Sequence, residues 1–218
     1  MQDCPIRQQV HTEETAADFN EIAQTIFFPI YPVIANQMLG RAGIDAGVCL
    51  DVGSGPGHLA IAIASLSNMT VFALDNAGPM CRIAGSNIAR YNLEQRVKVT
   101  WGDVSAIPFS DASIDLVVSR GSFFFWDDLT QGFSECLRVL KPGCMACIGG
   151  GFGNARLRDE IAAKMCERNP EWETNRQKWS QNCSPPIVRS ALSAAGISNY
   201  ELVQDDSGYW VTFRKPVR

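Results

Sequence analysis

With 218 residues, 46% of them hydrophobic and 19% charged, the chain has the length and composition of one soluble domain that can bury a sizeable core. Its formal net charge of −4 provides no general attraction for nucleic acid or anionic lipid, which argues against both as partners. The most apolar early run, residues 26–39, is broken by Pro29 and Pro32 and is too short to span a bilayer.

The opening residues, MQDCPIRQQVHTEE, lack the apolar core of a secretory signal, so a cytoplasmic location is expected and about a dozen residues there read as frayed. A helix follows with Ile30, Val33, Ile34 and Met38 on one face, ending near Gly40 and Gly43. Strand and helix then alternate: a strand over 48–52, a helix over 59–66 and a strand over 70–74. Met80, Ile83, Ala84, Ile88 and Tyr91 mark the next helix, before strands over 97–101 and 114–119. Leu129, Phe133, Cys136, Leu137 and Leu140 give the cleanest helical periodicity, stopped by Lys141-Pro142-Gly143, and a fifth strand covers 145–148. A mostly polar stretch with Trp172 and Trp179 reads as a helical insert over the site. After a helix over 186–195, strands over 200–203 and 209–213 are close enough to form an antiparallel hairpin. The fold class expected is α/β, a doubly wound, mostly parallel seven-stranded sheet that finishes in that hairpin.

The eight cysteines sit mostly in apolar segments and read as small buried hydrophobes. Cys144 and Cys147 are three apart on a strand and face opposite ways, so no metal site is expected there.

The most informative stretch is VCLDVGSGPGHLA, a strand that runs into Gly53, Gly55 and Gly57 and then at once into a helix. Glycines let the backbone turn tightly beside a ligand, and the helix N-terminus offers free amides. A dinucleotide fingerprint needs a glycine where His58 stands, and Asp51 would repel a pyrophosphate. The cationic methionyl end of S-adenosylmethionine suits that carboxylate better. Asp75 ends the second strand, where it can accept ribose hydroxyls or cap the next helix in competition with Asn76. Gly102-Asp103-Val104 ends the third, where it can read an adenine edge or simply turn.

The segments LDVGSGPGHLA, FALDNAGPM, GDVSAIPFSDASIDLVVSRG and LRVLKPGC resemble the class I S-adenosylmethionine-dependent methyltransferases, notably the type 11 group that includes the ubiquinone- and menaquinone-biosynthesis C-methyltransferases. The SRGSxFFW and GGGFGN segments resemble a smaller subgroup, a likeness that brings no substrate with it. The resemblance implies N-terminal lid helices within 1–43, a methyltransferase domain over 44–218 with its insert near 155–183, and S-adenosyl-L-methionine as cofactor, leaving S-adenosyl-L-homocysteine as product. It implies that Asp51, Gly53, Ser54, Gly55 and Gly57 line the methionyl and ribose side. Asp75 would hold the ribose, Asn76 and Met80 the adenine, and Gly102, Asp103 and Val104 the adenine edge. Ser119, with Arg120 beside it, would meet the methionyl amino group.

Methyl transfer needs alignment and a dry pocket more than a triad, and the short acidic chain favours a small-molecule acceptor over protein or RNA. A non-catalytic cofactor-binding protein is the remaining reading, and nothing in the sequence chooses monomer or homodimer. Arg120 and Tyr31 are the catalytic candidates. Phe28, Tyr31, Arg120, Phe123, Phe124, Gly151 and Phe152 are the acceptor-binding candidates, with Phe28, Tyr31 and Pro32 as lid. The three phenylalanines of SFFFW read either as an apolar wall or as core. Arg120 reads either as the holder of an acidic group or as a partner of Asp127 or Asp128. The glycine run 149–151 reads as an anion cradle or a plain exit from the strand. His58 is expected to be structural, and His11 lies in the loose terminus.

Overall fold

The computed structural model describes residues 12–217. The frayed stretch expected at the N-terminus, and His11 within it, lie outside the described residues. Strands β1 (Ala46–Val52), β2 (Asn68–Asp75), β3 (Val97–Trp101), β4 (Ile114–Arg120), β5 (Leu140–Gly151), β6 (Tyr200–Asp205) and β7 (Gly208–Arg214) form one sheet in the order β3-β2-β1-β4-β5-β7-β6. The first five run parallel, while β7 pairs antiparallel with both β5 and β6. This is the doubly wound sheet with a terminal hairpin that the periodicity predicts.

Parallel strands buried on both faces need helices on both. One face carries α2 (Ile30–Ala42), α3 (His58–Leu66) and α6 (Ala155–Arg168), packed with Cys49, Val71, Leu116, Val118 and Cys147 of the sheet. The other carries α5 (Leu129–Val139) and α8 (Pro185–Ala194) against Leu50, Val52, Val117, Ala146 and Val211. Cys144 packs against the second cluster and Cys147 lies in the first, opposite faces of β5 as the pleat requires. Local chemistry closes the helices. Gly43 ends α2 in the left-handed region at φ 73°, and Asp128 caps α5 by accepting from the Gln131 amide at 3.0 Å. The remaining helices are α1 (Glu13–Thr25), α4 (Gly78–Arg90) and α7 (Trp172–Gln181).

Two elements differ from the sequence reading. Residues 13–25 form a separate capped helix, α1, whose polar sequence hides a stripe with Ala16 and Ala23 buried. Strand β5 continues through the glycines, since Gly149, Gly150 and Gly151 pair with Trp210, Tyr209 and Gly208. A Cβ on Gly149 would stand 2.1 Å from the Tyr209 carbonyl oxygen, and one on Gly151 2.1 Å from that of Ser207. The run is therefore glycine because β7 passes too close for side chains, not because the chain leaves the sheet flexibly. Just past the run, the Phe152 and Gly153 amides both donate to the Ser207 carbonyl, at 3.0 and 3.3 Å. Among the described residues no helix is long and apolar enough to cross a membrane.

Candidate functional site

The C-terminal ends of β1, β2 and β3 bring the expected nucleoside residues together. Gly53, Gly55 and Gly57 all adopt positive φ, at 66°, 52° and 82°, a path that L side chains resist. The Ser54 amide holds the loop to the Leu74 carbonyl at 2.9 Å, and Gly57 caps α3 with no side chain in the way. Asp51 is 1% exposed, and its Oδ2, like Ser54 Oγ, is buried without a partner among the described residues. Burial above all, and then the charge of Asp75, push the Asp51 carboxyl up to about 8, against the pull of the Ala60 amide. Two orphaned polar atoms beside a positive-φ glycine loop suit a ligand carrying hydroxyls and a cation, which is the chemistry of S-adenosylmethionine.

Asp75 braces this loop. Its Oδ2 accepts from the Gly55 amide at 2.8 Å and its Oδ1 from the Ala77 amide at 2.9 Å, just ahead of α4. A carboxylate offers about four acceptor sites, so bracing the helix start does not by itself exclude a ribose contact. Asn76 Nδ2 donates to Asp103 Oδ2 at 2.7 Å, tying β2 to β3. Asp103 Oδ1 accepts from both the amide and hydroxyl of Ser105, capping the 3-10 turn Val104–Ala106. Partial burial opposes the Asp103 charge, but the Ser105 and Asn76 bonds hold its carboxyl below the ordinary range. Gly102 is required by packing, since a Cβ there would meet Leu74 Cδ1 at 2.9 Å, and Met80 is buried in the first turn of α4. If Asp75 also receives ribose hydroxyls, Asp75→Ala should weaken donor binding at least tenfold, at about 1.5–3 kcal/mol per charge-assisted bond. Calorimetric titration with S-adenosylhomocysteine checks this, and unchanged affinity confines Asp75 to bracing.

At the tip of β4 the side chains divide between the two sheet faces. Ser119 is fully buried and meets Ser122 Oγ at 2.6 Å; Ser122 in turn donates to the Val52 carbonyl at 2.9 Å and accepts from Trp126 Nε1 at 3.1 Å. Arg120 turns to the other face, where its Nε and Nη2 donate to the Gly151 carbonyl at 3.3 and 3.2 Å. Its guanidinium carbon lies 4.9 Å from the Phe27 ring centre and 6.0 Å from that of Tyr31. Asp127 and Asp128 are exposed, make no ion pair with it among the described residues, and Asp128 is spent on the α5 cap, so the aspartate-partner reading is corrected.

Two acceptor-wall candidates move elsewhere. Phe123 is wholly buried against Phe124, Trp126 and Tyr209 in the second core cluster, because SFFFW folds as a tight 3-10 turn rather than as a strand. Phe124 covers Gly150, where a Cβ would stand 2.6 Å from its ring. In the lid it is Phe27, not Phe28, that faces inward: Phe28 is 44% exposed, whereas Phe27 stacks on Phe152 at 6.2 Å with its other neighbour Arg120. Phe27 lies in the bend between α1 and α2, so no helical spacing points to it; it shares with Tyr31 only the contact with Arg120 that the fold creates.

A polar network fastens the lid over the loop. Asn20 Oδ1 accepts from Asn87 Nδ2 at 2.9 Å and lies 3.0 Å from His58 Nε2, while Gln24 Nε2 donates to Asn87 Oδ1 at 2.9 Å. Asn87 also donates to the Pro56 carbonyl of the loop, at 2.9 Å. Glu13 pairs with Arg82, and Asp18 and Glu21 with Arg168, at the exposed ends. Burial drags the His58 imidazole down to about 4, so it stays neutral as a structural donor. Tyr31 is buried 5.3 Å from the His58 ring, and desolvation raises its phenol, against the pull of Arg120 and with the push of Asp51. None of this network was legible, because Asn20 and Gln24 of α1, Asn87 of α4 and His58 of α3 meet only in the fold.

Sheet order, the positive-φ loop and the carboxylates on successive strand ends define a class I nucleoside-cofactor-binding domain. A family model described as a methyltransferase domain matches residues 50–148. A crystal structure from Methanococcus maripaludis, provisionally designated an S-adenosyl-L-methionine-dependent methyltransferase, is 41% identical with a TM-score of 0.91, covering 100% of this chain and 97% of that one. The malonyl-[acyl-carrier protein] O-methyltransferase of Geobacter sulfurreducens is 28% identical over 78% of this chain and 62% of its own length. The ubiquinone/menaquinone biosynthesis C-methyltransferase of Geotalea daltonii is 31% identical over 44% of this chain and 42% of its own length. The chain thus spans less than two thirds of these curated relatives. It belongs to the S-adenosylmethionine-dependent methyltransferase family.

Proposed function

We propose that the protein transfers a methyl group from S-adenosylmethionine to a small-molecule acceptor inside a roofed cleft. The observation that carries this is the roof: α1 and the start of α2 are fastened over the glycine loop by Asn20, Gln24 and Asn87, and place Phe27 and Tyr31 above Arg120. A protein or RNA acceptor needs an open groove at this point. The name of one curated relative specifies ubiquinone/menaquinone biosynthesis, in line with a small-molecule acceptor, while that of another specifies a malonyl group borne on an acyl-carrier protein.

When bound, S-adenosylmethionine supplies an electrophilic methyl on a sulfonium. Asp51, Ser54 and the three loop glycines hold its methionyl and ribose side, Asp75 its ribose, and Asn76, Met80, Gly102, Asp103 and Val104 its adenine. Ser119 and Arg120 border its methionyl end. Tyr31 and Phe27 exclude water, and Tyr31, held as a neutral phenol, orients a polar acceptor atom by hydrogen bonding. The neutral His58, committed to Asn20, takes no proton, so alignment carries the reaction.

Incubating the protein and a metabolite extract with donor labelled in the methyl group tests the reading. Label should appear below about 1 kDa. Label in protein or RNA would overturn the small-molecule acceptor, and donor bound without any transfer would overturn catalysis.

A further inference from the structure

Arg120 is a cation whose protein environment leaves half its valence unmet. It closes β4 and is half-buried, and its Nε and Nη2 share a single neutral acceptor, the Gly151 carbonyl, at long distances of 3.3 and 3.2 Å. Of the other half-buried arginines, Arg138 pairs with Glu135 and Asp111 and Arg176 with Glu173, while Arg96 donates from Nη2 to two backbone carbonyls, those of Ser67 and Met69. Among the described residues Arg120 has no carboxylate partner. A guanidinium stays charged at any working pH, and burial against rings removes water that would otherwise solvate it. The Phe27 and Tyr31 faces recover part of that loss through their negative π clouds, but they satisfy no N–H. The Nη1–Nη2 edge of the fork therefore has no protein acceptor, and its geometry matches two oxygens of a planar anion.

The surroundings define what kind of anion. Phe27 is stacked on Phe152, so the roof over Arg120 is anchored in the chain that follows β5. Tyr31 joins the same roof to His58 at the start of α3. The position lies between the nucleoside loop and the lid, at the strand next to β1 in the sheet. Arg120 brings a single positive charge, which suits the single negative charge of a carboxylate better than a dianionic phosphate.

We propose that Arg120 is a carboxylate-anchoring residue, holding the carboxylate of a bound ligand on its free edge beneath Phe27 and Tyr31. The inference rests on the methyltransferase reading and names the ligand chemistry of that same site. Two sources offer such a carboxylate: the methionyl end of the donor, and an acidic acceptor. Each gives a different result in a binding measurement.

Calorimetry with S-adenosylhomocysteine and with its decarboxylated analogue, on the wild type, Arg120→Ala, Arg120→Lys and Arg120→Gln, separates them. Arg120→Gln keeps a donor for the Gly151 carbonyl without the charge, so it serves if the alanine variant folds poorly. If the donor supplies the carboxylate, the wild type should prefer S-adenosylhomocysteine over the analogue at least tenfold. That preference should vanish in the alanine and glutamine variants and partly return with lysine. If the acceptor supplies it, S-adenosylhomocysteine affinity should stay within about threefold in every variant. Saturation-transfer NMR on the S-adenosylhomocysteine-loaded wild type should then detect succinate or benzoate, and the signal should be lost in Arg120→Gln. A folded Arg120→Gln protein that matches the wild type in both measurements overturns the proposal. A wild type that binds no S-adenosylhomocysteine overturns the methyltransferase reading instead, so the two failures are distinguishable.

Discussion

Asp51→Asn should stabilise the ligand-free protein at pH 8 while weakening its affinity for S-adenosylmethionine ten- to a hundredfold. Both effects follow from one buried carboxyl with an unpartnered oxygen. Its proton affinity is raised, to about 8, so between about pH 4 and pH 8 the folded protein keeps a proton that the unfolded chain has lost. The native state then binds more protons than the unfolded state, and stability falls as pH rises across that window and levels off above it. Asparagine imitates the protonated acid and has no such slope. At pH 8 the difference should reach roughly 3–6 kcal/mol, about 1.4 kcal/mol for each unit of the shift. Donor binding runs the other way, because a cationic methionyl end calls for the carboxylate. The wild type should release close to one proton on binding at pH 7, with affinity rising toward pH 8, and the asparagine variant should release none. Melting curves from pH 4 to 9, together with calorimetry in two buffers of different ionisation enthalpy, read both quantities. Parallel pH–stability curves for wild type and variant would show that Asp51 does not titrate as its burial requires.

The parts of the molecule that follow from local chemistry were legible in advance. The glycine turn, Asp51, Asp75 and Asp103 sit at strand ends because strands alternate with helices at regular length, and sheet topology then gathers those ends into one place. What was not legible depends on contacts between distant segments. The run Gly149-Gly-Gly151 looks like a loop until β7 is laid beside it, and only then does the 2.1 Å approach of two carbonyl oxygens explain its composition. Phe123 and Phe124 are indistinguishable as letters; the 3-10 turn decides that one fills the core and the other covers Gly150. Asn20, Gln24 and Asn87 carry no motif, and their value as a latch exists only because α1 crosses α4 beside Pro56. Residues whose role is set by backbone conformation announce themselves by type, whereas residues whose role is set by a partner do not.

Gly53→Ala is the substitution in the loop expected to cost most, and it tests whether conformation or crowding makes this glycine necessary. Gly53 has φ 66°, which a side chain adopts at a cost of about 1–2 kcal/mol. Its Cβ would also stand 2.3 Å from Ser122 Cβ and 2.5 Å from Ser122 Oγ, a clash worth roughly 1–3 kcal/mol more. The sum, roughly 2–5 kcal/mol, should lower the melting temperature by about 4–20 °C in a chain of this size. Donor affinity should fall more than tenfold, since the loop amides move with Gly53. Ser122 separates the two causes. It cannot simply rotate away, because its hydroxyl joins the Val52 carbonyl, Ser119 and Trp126. Ser122→Ala removes the hydroxyl and keeps the Cβ at 2.3 Å, so its cost should add to that of Gly53→Ala. Ser122→Gly removes both atoms, so the double variant should be more stable than the sum of the singles by about 1 kcal/mol or more, leaving the conformational cost behind. Equal additivity for Ser122→Ala and Ser122→Gly would mean that the loop relaxes around the new methyl and that φ alone requires glycine here.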